Sequence, residues 1–132
     1  MYEVKEIDEK VLLIRISRAY YDEMSRYQLY EYTRGRWKIK LEHARQAEYA
    51  LAIFKGEVKE VYRIVDWYES GEILSQIIDD NNEYDKPKEH FDKRVEFVGR
   101  VAQLDIRRKY INKSVAHFFK KGEASPVKYI NC

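Results

Sequence analysis

The segment from Glu48 to Tyr68 constrains the fold more than any other part of the chain. Tyr49-Ala50-Leu51-Ala52-Ile53-Phe54 and Val58 to Trp67 are two runs rich in β-branched and aromatic residues, separated only by Lys55-Gly56-Glu57. So short a break joins antiparallel neighbours and leaves no room for a crossover helix. Gly56 supplies the positive φ that a three-residue hairpin loop needs. Alternation along the second run predicts Val61, Arg63, Val65 and Trp67 on one face, with Val58, Tyr62 and Ile64 on the other.

The rest of the chain is read outward from this hairpin. Val11-Leu12-Leu13-Ile14-Arg15-Ile16 is apolar on both faces and predicts a strand at the centre of a sheet. Asp22 is placed to cap a helix whose apolar face is Met24, Tyr27 and Tyr30, ending at Gly35. Trp37, Ile39 and Leu41 alternate with cations and predict a short strand over 36–41. Ser70-Gly71 ends the hairpin. Ile73, Leu74, Ile77 and Ile78 suit a short helical turn, and residues 79–93 read as a polar surface insertion. Arg94 to Leu104 returns to strand character, with Gly99 marking a bulge or a close backbone approach. Asp105 opens a second helix that runs through Ile106, Tyr110, Val115 and Phe118-Phe119 to Gly122. Pro126 to Ile130 closes the chain as an edge strand, since proline cannot donate to a ladder. The expected fold is one α+β domain over residues 1–132: a small, curved, mostly antiparallel sheet or pseudobarrel with two packed helices, and no parallel βαβ unit.

Composition narrows the function classes. Lys and Arg number 25 against 23 Asp and Glu, so the net charge of +2 excludes a basic tail and leaves room for a local basic patch. No apolar run reaches the roughly 18–20 residues of a membrane span, and no apolar leader is visible, which points to a cytoplasmic protein without a membrane partner. The single cysteine, Cys132, excludes an internal disulfide. His43, His90 and His117 lack ligand spacing, and neither a phosphate-binding loop nor a dinucleotide fingerprint occurs, so no metal or cofactor is expected. Tyrosine is the unusual residue, at 12 of 132. Its apolar ring and polar tip suit half-buried clefts.

Leu29-Tyr30-Glu31-Tyr32-Thr33-Arg34-Gly35-Arg36-Trp37 resembles the LYE-TRG-W signature of a small uncharacterised bacterial family. So do the hairpin Ala50 to Gly56 with Val61 to Ile64 and Trp67, the strand Arg94 to Gly99, and Tyr110 to Val115. The hairpin pattern is similar to PUA-like folds of the ASCH and EVE type, over about Val11 to Asn131. The resemblance implies a pseudobarrel whose cleft binds RNA or a flipped-out, often modified, base.

The residues themselves point the same way. Arg34, Arg36 and Lys38 surround Trp37 beside Gly35, which offers guanidinium forks for phosphates and an aromatic plane for a base. The competing reading is a helix C-terminus followed by a core tryptophan. Trp67, on the same expected face as Arg63, would form a second wall, with Arg63 alternatively paired to Glu48. The expected site is therefore Arg34, Trp37, Trp67, Arg36, Lys38 and Arg63 around one solvent-filled hollow, binding without covalent chemistry. Arg107, Arg108, Lys109, Lys113, Lys120 and Lys121 make the second helix basic, which more often means a solvated face. Ser114 and His117 stand three apart but lack an acid to orient the histidine. Two other classes remain open. One is a hydrolase or transferase of nucleoside derivatives on an ASCH-like fold, using Lys38, Arg34 or Glu31. The other is an accessory interaction domain, for example a homodimer formed through exposed tyrosines.

Overall fold

The computed structural model describes residues 2–16, 20–70 and 94–132. The turn predicted over 73–78, the insertion at 79–93 and His90 lie outside them. The protein is α+β. Its five-stranded sheet is open and has the order β4-β3-β2-β1-β5, with β1 Val11–Arg15, β2 Tyr49–Phe54, β3 Glu57–Glu69, β4 Val95–Val101 and β5 Val127–Ile130. Three pairings are antiparallel, but β1 runs parallel to β2, contrary to the expectation of no such unit. The crossover between them carries α1 (Arg26–Arg34) and α2 (Leu41–Ala44). A third helix, α3 (Leu104–Tyr110), follows β4.

Strands β1 and β2 are buried on both faces, which explains their nearly unbroken apolar sequences. One face buries Leu13, Leu51, Ile53, Val58 and Val61 beneath Val4, Ile7, Ile106, Tyr110 and Val115. The other buries Leu12, Ile14, Ala50, Tyr62, Trp67 and Phe97 beneath residues of α1 and α2. Each buried aliphatic side chain contributes roughly 1.5–3 kcal/mol by leaving water.

The hairpin turn is tighter than predicted. Phe54 pairs with Glu57, and Lys55 and Gly56 adopt φ of 50° and 80°, a two-residue turn with both central residues left-handed. Two register shifts alter β3, one at Ala52/Ile53 of β2 and one between Ile64 and Asp66. Each adds an unpaired residue and reverses which way the following side chains face. Val58 and Val61 therefore share one core, while Tyr62 and Trp67 share the other. The predicted alternation fails for this reason.

Several boundaries also move. Ser25, not Asp22, caps α1: its hydroxyl accepts from the Gln28 N–H at 3.2 Å, and Gln28 Oε1 accepts from the Ser25 N–H at 3.3 Å. This reciprocal box satisfies two donors at once. Gly35 ends the helix in an extended conformation, and the left-handed residue is Arg36 (φ 66°). The strand predicted over 36–41 reduces to one bridge between Trp37 and Val95, because α2 begins at Leu41. The second helix stops at Tyr110, and left-handed Asn112 turns the chain so that Val115 and Phe118 pack from a separate 3-10 turn. As predicted, β5 lies at the edge of the sheet beside Pro126.

Candidate functional site

Arg34 sits at the end of α1, where the chain turns toward β4, and only 2% of it is exposed. Its Nη1 meets Glu96 Oε2 at 2.8 Å and Glu31 Oε2 at 3.4 Å, and its Nε donates to the Phe97 carbonyl at 3.0 Å. Glu31 and Glu96 are buried as well. A charge this far from water requires such partners. The arginine ties α1 to β4. Trp37 is partly buried against the same core, and its indole N–H donates to the Thr33 carbonyl at 2.8 Å. Trp67 is 1% exposed and packs edge-on against Phe97, with ring centroids 5.3 Å apart. Arg36 is half-buried, whereas Lys38 is exposed. Arg63 is exposed on the opposite face of the sheet from Trp67. The expected hollow shared by Trp37, Trp67 and Arg34 is thus replaced by packed interior, and the bulge near Val65 separates Arg63 from Trp67.

An open cleft lies elsewhere, where α1 crosses β3 and β4. Its volume is about 190 Å³, and Arg26, Tyr27, Tyr30, Glu60, Tyr62 and Gly99 line it, with Arg100 and Val101 beside them. Tyr27 is 67% exposed and stands at the mouth. The ring of Tyr30 lies 5.4 Å from that of Tyr62, and its hydroxyl accepts from the Gly99 N–H at 2.9 Å. Gly99 is required here: a Cβ at this position would come within 2.5 Å of the Arg63 carbonyl oxygen. The predicted close approach is therefore real, and the bulge belongs to the facing strand.

Polar groups are held at the cleft wall. Glu60 receives Arg107 through two bonds, Nε to Oε1 at 2.9 Å and Nη2 to Oε2 at 3.2 Å, and the Val61 N–H adds a third at 3.0 Å. Burial, reinforced by the negative charge of Glu60, pushes the Tyr62 hydroxyl well above its ordinary range, so it stays protonated. The cleft accordingly offers aromatic surface, a neutral phenol and a fixed carboxylate, with Arg26 at the rim.

This cleft was only partly legible in the sequence. Tyr27 and Tyr30 stand out at a spacing of three, yet that spacing reads as a core face. Glu60 and Arg107 are 47 residues apart, and nothing local links them. On α3, Lys109 binds Glu9 at 2.6 Å and Arg107 binds Glu60, so much of its positive charge is matched. His117 Nε2 donates to the Val4 carbonyl at 2.6 Å, and Ser114 Oγ accepts from the Ala116 N–H, so the two serve the backbone and not each other. His43 stacks on Tyr129 with centroids 3.5 Å apart. Among the described residues no three His, Cys, Asp or Glu side chains converge as metal ligands, and no helix is long and apolar enough to cross a membrane. No family model, no curated protein and no solved structure matches the chain.

Proposed function

We propose that the protein is a non-catalytic nucleic-acid-binding module that seats one unpaired base, of RNA or a modified base, in the cleft between α1 and β3-β4. The aromatic lining of that cleft carries the proposal: Tyr27, Tyr30 and Tyr62 give a stacking surface beside the cation of Arg26. A volume of about 190 Å³ is below the roughly 300–1,000 Å³ of drug-sized pockets, so it suits a single planar group. The PUA-like relationship and a cytoplasmic setting belong to the same proposal, since both accord with a base-binding role. Recognition here consists of stacking, hydrogen bonding to the Tyr62 hydroxyl and Glu60, and attraction of phosphate.

Fluorescence anisotropy with labelled single-stranded RNA, structured RNA and modified-base duplexes tests this. Tyr27→Ala removes an exposed ring, so it leaves the melting temperature within error and weakens binding by about 1–3 kcal/mol, roughly 5- to 150-fold. Wild-type affinity in that variant, or no binding of any of the three probes, removes the proposal.

A further inference from the structure

Across the sheet, Tyr49 of β2, Arg63 of β3 and Arg100 of β4 are directly paired, which stands them in one row on the face opposite Tyr62. Directly opposed residues bring their Cβ atoms within about 4.5–5.5 Å, and like charges so placed repel. Both arginines are exposed, and neither makes an ion pair among the described residues. The expected Glu48 partner of Arg63 is not used. Instead Arg63 Nη1 donates to the Tyr49 hydroxyl at 3.2 Å and its guanidinium lies 5.3 Å from that ring. Gln103 Nε2 donates to the same oxygen at 2.9 Å. Tyr49 is itself 3% exposed, so the anchor is rigid.

Among the described residues these two adjacent cations have no anionic partner, and one of them is fixed in place. We infer that Arg63 and Arg100 clamp a phosphate of a bound nucleic-acid strand. Arg100 also borders the aromatic cleft, and among the described residues β4 is the outermost strand of the sheet, bridged on its outer side by Trp37 at Val95. A chain whose base enters the cleft therefore passes its phosphate around the Arg100 end of that edge to the pair. Guanidinium forks match phosphate oxygens in charge and geometry. The inference rests on the proposed base-binding function and extends it: the ligand is a phosphorylated strand and not a free nucleoside.

The test measures binding of a labelled single-stranded RNA oligonucleotide to the full chain across a salt series. Arg63→Gln with Arg100→Gln flattens the slope of log affinity against log salt by about 0.7, the term for one phosphate no longer neutralised on a single strand. Tyr49→Phe keeps the ring, removes the anchoring oxygen and gives part of that loss. The melting temperature of the double variant is unchanged or higher, because a repulsion is relieved. An unchanged slope alongside impaired binding by Tyr27→Ala overturns the clamp and keeps the cleft; the reverse pattern keeps the clamp and overturns the cleft. Displacement of RNA by polyglutamate as readily as by unlabelled RNA overturns the assignment to phosphate, as does a double variant that melts several degrees lower with unaltered binding.

Discussion

Arg34 shows how one side chain can carry the same chemistry toward opposite ends. A guanidinium beside an indole and a glycine is what a phosphate site requires, and it is equally what a helix needs to anchor its last turn to a neighbouring strand. Composition cannot separate the two, because the deciding groups, Glu96 and the Phe97 carbonyl, lie about sixty residues away. Their burial makes a clear prediction. Arg34→Met removes the guanidinium shared by two buried carboxylates and destabilises the protein by about 3–5 kcal/mol, read as a lower urea midpoint at constant slope. Trp37 was legible in a different sense. Its apolar contribution to the core follows from its pattern with Ile39 and Leu41, all three of which do pack on that core, although no strand forms there.

At the level of elements, the hairpin was the most readable feature, and its details were the least. Two β-rich runs with a glycine between them specify antiparallel strands, but the register depends on turn geometry and on bulges that leave no composition mark. Lys55 carries a conformational cost here. It holds φ of 50°, where an L-residue with a long side chain is disfavoured and asparagine is tolerated. Lys55→Asn creates an Asn-Gly turn and raises stability by about 0.5–1 kcal/mol, seen as a higher melting temperature. A drop instead means that the Lys55 contact with Phe54, at 5.3 Å, outweighs the backbone term. The βαβ crossover was hidden for a related reason. The hairpin argues for antiparallel order, whereas the parallel pairing of β1 with β2 comes from helices whose buried faces include Glu31, Thr33 and Arg34 and so do not read as apolar.

For the whole molecule, the N-terminal stretch closes one core. Val4 and Ile7 are buried, the Val4 N–H donates to the Ser114 carbonyl at 2.9 Å, and Asn131 Nδ2 donates to the carbonyls of Ile7 and Glu9. Glu9 adds a charged link to α3, accepting from Lys109 and the Tyr110 hydroxyl. Burial alone would raise the Glu9 carboxyl, but those donors outweigh it and hold the group below its ordinary value of 4.5. A carboxyl lowered in the folded state adds stability that is complete above that ordinary value and lost as pH falls through the lowered one. Glu9→Gln therefore lowers the melting temperature at neutral pH and flattens its decline on acidification, so the two melting curves converge at low pH. Parallel curves would show that Glu9 does not link the two segments. By itself the sequence determined the α+β class, the central strand, the hairpin and the edge strand, because period, β-branching, glycine and proline act within a few residues. Tertiary structure alone decided which aromatic rings were left open and which cations were tied to carboxylates, since burial and ion pairing join residues that the chain keeps far apart.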